Sequence, residues 1–235
     1  MHETRFTMRM VRDQGGGPFV EAAVMIPILL TFVLGSVDFI NAFVQWNQAT
    51  KAVEVGARIA AVSDPVASGL NTIPTNALSS STLLGDTMPD FEVTCDGHSQ
   101  ACTCTRGTCT GMGTYSATAM NLIVYGRGGH SSCTTATSYY TAGMCNMFGS
   151  ITPAHVKVVY SQTGLGFAGR SAGPVPTITV SIENLQFQYF FLGGLMRLAN
   201  MTMPPLSTTV TGRVFRPPPN RKTIESIGAR PNSAR

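Results

Sequence analysis

Charge is scarce in this sequence. Only 12% of its 235 residues are Asp, Glu, Lys or Arg, and none lies between Ala22 and Val37. The net charge of +4 says little about the body of the chain. From Arg213 onward six basic residues face one acid, which leaves −1 for the remainder. Between Pro65 and Gly212 five basic residues balance five acidic ones. No basic face is visible there, which argues against nucleic acid as a partner. Catalytic signatures are missing as well. No nucleophile elbow accompanies His98, His130 or His155, and no two carboxylates are paired for acid–base work. Gly164, Gly166 and Gly169 spell G-x-G-x-x-G, but Pro174 and Pro176 follow where a dinucleotide site needs a helix to open. We therefore expect no enzyme, no cofactor and no small-molecule substrate. No internal repeat is visible.

The strongest signal present is the apolar run. The sixteen uncharged residues from Ala22 to Val37 span roughly 24 Å as a helix, short of a hydrocarbon core of about 30 Å. Extension to Val44 reaches roughly 34 Å but includes Asp38 and Asn41, which share one helix face as an i,i+3 pair. The membrane segment is read as about Pro18 to Val44. Glu21 then lies at one interface and Asp38 near the other, with Pro27 expected to kink or locally open the helix. Arg5, Arg9 and Arg12 precede the run and predict an amino terminus inside and a domain outside, in a single pass. A buried core helix of a soluble protein is one competing reading. A cleaved secretory signal is another, but its apolar core of about 7–15 residues is shorter than this run.

The helical pattern continues past the run. Trp46, Ala49, Val53, Ala57 and Ala60 recur at spacings of three and four, a narrow apolar stripe. Glu54 and Arg58 are spaced as an i,i+4 ion pair. The helix should end near Asp64–Pro65, because proline disfavours helix at the residue before it.

Gly16, Glu21, Pro27, Asp38–Phe39 and Gly56–Ala57–Arg58 together carry a resemblance. Residues 15–62 resemble the TadE-type pilin-like proteins of the tight-adherence (Flp) pilus system, a branch of the type IV pilus machinery. The resemblance implies a bacterial inner-membrane protein cut by a prepilin peptidase between Gly16 and Gly17, with Glu21 as fifth residue of the mature chain. It implies other pilin-like subunits and the pilus assembly machinery as partners. The carboxylate of Glu21 would then pair with the new α-amine of a neighbouring subunit at the lipid interface, where screening is weak. Asp38 is a second candidate for subunit assembly.

The remainder reads as α+β, with a few antiparallel strands after the long helix. Residues 63–82 look like a turn-rich loop. Strands are predicted at His155–Gln162, Thr177–Phe187 and Leu206–Val214. The apolar stretch 189–200 suggests a short helix or a buried segment. Cys95, Cys102, Cys104, Cys109, Cys133 and Cys145 fall in one region, 95–145, read as loops. An even count outside a membrane argues for disulfides in one of fifteen pairings. Zinc at Cys102 and Cys104 with His98 and His130 fits no standard spacing, so no metal is expected. The predicted organisation is a cytoplasmic leader at 1–16, the helix at 17–64, an extracytoplasmic domain at 65–214 and a disordered basic tail at 215–235. The functional expectation is a minor-pilin-like structural or assembly component. A membrane-anchored extracytoplasmic binding module with no filament role is the alternative.

Overall fold

The computed structural model describes residues 17–127, 132–134, 138, 140–170, 173–191, 193–194 and 201–212. The leader 1–16 with Gly16, His130, and the tail 215–235 lie outside these residues. By its contacts the chain divides into two units, 1–46 with 186–202, and 47–185 with 203–235.

The first unit is built on helix α1, which runs Gly17–Val62 and passes through Pro27 without interruption. Its long side chains point outward, Phe19 at 80% and Phe32 at 77% exposure. Its hydroxyls turn inward to the backbone. Thr31 Oγ1 donates to Pro27 O and Ser36 Oγ to Phe32 O, both at 2.8 Å. A polar group with no water nearby needs such a partner, and the carbonyl one turn back is within reach. Among the described residues α1 is the one helix long and apolar enough to cross a membrane.

The second unit begins in the same helix, where the buried residues become small: Ala49, Ala52, Val53, Ala57 and Ala60. Gly56 shows why. A Cβ built there would lie 2.5 Å from Met144 Sδ, so only glycine admits Met144 without a shift. The predicted Glu54–Arg58 pair is not formed; Glu54 takes Lys51 instead, at 2.9 Å. Exposed pairs of this kind are worth about 0–1 kcal/mol, too little to dictate the choice.

The helix stops at Val62 as Pro65 approaches. The next segment was expected to be an irregular loop, yet it buries Val66, Ala67, Leu70 and Ile73 and contains a short helix α2, Ile73–Asn76. Val66 N–H donates to the hydroxyl of fully buried Tyr160 at 2.9 Å. Burial pushes the Tyr160 phenol well above its ordinary range, so this hydroxyl stays neutral and serves as a fixed acceptor.

Five antiparallel strands form one sheet in the order β2-β1-β3-β4-β5: β1 Phe91–Asp96, β2 Ala101–Gly107, β3 Val156–Ser161, β4 Thr177–Ile182 and β5 Leu206–Thr211. Phe91, Val93, Cys95, Val156, Val158, Tyr160, Ile178, Val180 and Ile182 are all buried and supply the sheet's share of the core. Their neighbours along each strand are mostly Thr, Ser and charged residues, the alternation of a half-covered sheet. The strand predicted to reach Phe187 ends at Ile182. Asn184 follows at φ 58, a left-handed conformation that breaks the pleat.

Region 95–145 is not the loop expected. It holds the end of β1, all of β2, helix α3 at Ala117–Tyr125 and helix α4 at Met144–Met147. Ser116 caps α3 by accepting the Ala119 N–H at 3.3 Å. Gly126 closes it at φ +81, where any Cβ would strike the backbone at Thr141 and Gly143.

The six cysteines pair as Cys95–Cys102, Cys104–Cys109 and Cys133–Cys145. Cys95 and Cys102 are register partners across β1 and β2. This bridge therefore ties a strand whose residues are nearly all exposed to one that is half-buried, rather than closing a loose loop.

Candidate membrane and assembly site

Gly17 is the first described residue of α1, and Glu21 sits one turn later on the same face. Glu21 is exposed, and among the described residues it makes no hydrogen bond or ion pair. Asp38 lies seventeen residues further on, about 26 Å along the axis. The two candidate carboxylates are therefore not brought together.

Asp38 is fully buried. Its Oδ1 accepts the Phe190 N–H at 3.0 Å and its Oδ2 accepts the Phe191 N–H at 2.9 Å. Asn41 Nδ2 donates to Gln188 O at 2.9 Å. The Gln45 amide grips the same residue twice, donating to Gln188 O at 2.8 Å and accepting from Gln188 N at 2.9 Å. Positions 38, 41 and 45 follow one helix face, so three side chains hold one short strap of backbone.

The strap's outgoing and returning ends meet at the Gln186–Thr202 bridge, and Phe187 N donates to Met201 O at 3.0 Å. The stretch 189–200 was expected to be a short helix or buried. Its described aromatics are exposed, Phe190 at 71% and Phe191 at 44%, while residues 193 and 194 are helical; residues 192 and 195–200 lie outside the described set. The spacing of Asp38 and Asn41 was visible in the sequence. Their partner, about 150 residues away, was not.

The second unit carries a cleft of about 330 Å³ lined by Val55, Arg58, Ile59, Arg127, Tyr140 and Met147, among others. Among the described residues neither arginine has an ion-pair partner. The glycines of the G-x-G-x-x-G pattern sit in a loop between β3 and β4, all at positive φ, and open no helix. No group of three potential metal ligands occurs among the described residues, and every cysteine is committed to a disulfide.

Residues 19–58 match the family model of TadE-like proteins. The TadE-like segment holds Glu21, Asp38, Asn41 and Gln45, and ends at Arg58 beside the cleft. The strap, the sheet and all six cysteines lie beyond it. A TadE-like match is consistent with a component associated with the Tad pilus system, a structural rather than a catalytic setting. With the apolar helix it supports membrane anchoring. No curated protein and no solved structure matches the chain significantly.

Proposed function

We propose that the protein is a minor-pilin-like, non-catalytic component of a tight-adherence pilus, held in the bacterial inner membrane by residues 18–44. In this reading the amino terminus is cytoplasmic and residues 65–214 form the extracytoplasmic domain. A prepilin peptidase cuts between Gly16 and Gly17, and Glu21 pairs with the Gly17 α-amine of an adjacent subunit. The observation that carries the proposal is Glu21 itself: an exposed carboxylate one turn inside an apolar helix, without a partner among the described residues. A charge costs about 2.5–3.5 kcal/mol on insertion scales at the helix centre and less toward the interface, where Glu21 lies. A cation brought by a neighbour offsets this cost. The carboxylates are thereby divided in their work, since Asp38 has partners inside its own chain and Glu21 has none among the described residues.

Glu21→Gln keeps the shape and removes the charge. At equal membrane levels, we expect its crosslinking to other pilin-like subunits to fall below wild type while insertion is as good or better. Equal recovery would leave Glu21 as a solvated carboxylate and end the pairing model. Mass spectrometry of the mature chain should place its first residue at Gly17 where the peptidase is present. An intact leader there would remove the pilin-like reading. The Arg58–Arg127 cleft favours a second reading, a membrane-anchored module that binds an anionic group; it requires no cut after Gly16.

A further inference from the structure

The strap on α1 carries exposed aromatic rings where the helix leaves its apolar stretch. We propose that residues 186–191 are a second membrane contact, lying in the lipid–water interface with Phe190 and Phe191 against lipid. This rests on membrane anchoring by α1 and not on any role in a pilus.

Depth is the first argument. Phe190 and Phe191 bond directly to Asp38. Asp38 lies about 26 Å from Glu21 along the helix, inside the far edge of a hydrocarbon core of about 30 Å measured from Glu21. The strap must occupy the same level. Composition is the second argument. Tyr189, Phe190 and Phe191 of the strap and Phe39 and Phe43 of the helix gather there. Phe39 is 73% exposed and Phe43 62%. Tyr is enriched at the membrane interface, and Phe rings on interfacial segments bury into the headgroup–acyl boundary.

The third argument is the backbone. Non-helical chain at membrane depth is tolerated only when its N–H and C=O groups find partners within the protein. The strap meets that demand at four N–H groups and one carbonyl. Asp38 takes two N–H groups, and Gln45 takes a third. Asn41 and Gln45 both donate to the Gln188 carbonyl. Phe187 N–H goes to Met201 O. In water these groups would need no such provision. This also explains a buried carboxylate on an otherwise apolar helix, because an anion accepting two amide protons is stabilised by both.

The test uses the full chain with its single natural indole removed by Trp46→Phe and a new one introduced by Phe190→Trp. The protein is placed in phosphatidylcholine vesicles whose acyl chains carry bromine either near the headgroup or deep in the bilayer. Bromine near the headgroup should quench the indole at position 190 by about half, and deep bromine less, as for an interfacial residue. An indole placed by Tyr140→Trp should be unaffected. Quenching at position 190 no greater than at 140 would overturn the proposal. So would an indole shielded from both bromolipid and aqueous acrylamide, which would mean that a second copy covers the strap.

Hydrogen exchange on the unsubstituted protein in nanodiscs avoids any folding defect of the indole variants. The amides of residues 190 and 191 should be protected. Asp38→Ala should speed their exchange at least tenfold, the equivalent of about 1.4 kcal/mol for a lost hydrogen bond. Unprotected amides in wild type, or no acceleration in the variant, would refute the strap's anchoring. Neither experiment requires pilus assembly, so both can succeed where the Glu21 test fails.

Discussion

In the first half of α1 the exposed residues include Phe19, Ile28, Leu29 and Phe32, and the buried ones are Asp38 and Gln45. In the second half the buried residues are Ala49, Ala52, Val53 and Ala57, and Lys51 faces water. One continuous helix is thus turned inside out at Trp46. Helix propensity does not change across that boundary; the solvent does. Where lipid surrounds the helix, apolar side chains face out and polar groups need internal partners. Where water surrounds it, small apolar residues are drawn into a core.

The sharpest test of this contrast places the same charge in each half. Ala57→Asp puts an unpartnered carboxylate in the core of the second unit at a cost of several kcal/mol. The disulfide domain should lose protease resistance while the protein remains in the membrane fraction. Phe32→Asp should do the reverse, weakening resistance to carbonate extraction and sparing the domain. Loss of both properties in either variant would show that the halves are not independent.

A smaller effect is expected from the covalent staples, which occur among the described residues only in the second unit. Replacing Cys95 and Cys102 together by serine opens a bridge between residues seven apart. Chain entropy assigns such a loop about 2 kcal/mol. The denaturation midpoint should fall accordingly, and amide exchange should quicken first in β2, whose residues are largely exposed. The strap amides at residues 188–191 should not respond. Uniform loosening across β3 and β4 would mean that the bridge supports the core rather than the edge.

The smallest effect concerns pH. His155 Nδ1 accepts the Thr152 N–H at 3.2 Å. Burial, and secondarily the neighbouring His98, hold its pKa below the ordinary 6.5. The folded state favours neutral imidazole, so its contribution is full above pH 6.5 and falls as pH drops below that value toward the folded pKa. Urea midpoints from pH 8 to 5 should show wild type losing more stability on acidification than His155→Gln. Parallel curves would assign the pH dependence to other groups.

Several features were legible in the sequence because their signals are local. The apolar run with its early proline, the stripe through Ala60, and the alternation in Val156–Ser161 and Thr177–Ile182 each need only a short window. The strand β1 was equally legible, since Phe91, Val93 and Cys95 alternate with Glu92, Thr94 and Asp96; only its last two residues fall in the region read as loops. The neighbouring β2 offered no such pattern. Ala101–Gly107 is an exposed edge strand, with no buried face to select apolar residues, and it is recognisable only through its pairing with β1.

The sequence by itself determined a long helix with one apolar half, a carboxylate near its start, an even set of cysteines and a sheet of alternating strands. These follow from side-chain chemistry at fixed local spacing. Tertiary structure alone decided which cysteines pair, why Gly56 must be small, and what Asp38 is for. Each of those depends on a partner far along the chain: Cys102 opposite Cys95 in a hairpin, Met144 against Gly56, and the Phe190 and Phe191 amides on Asp38. No local window contains such a partner. A carboxylate's role is set by which donors the folded chain brings to it, and only the fold brings these two.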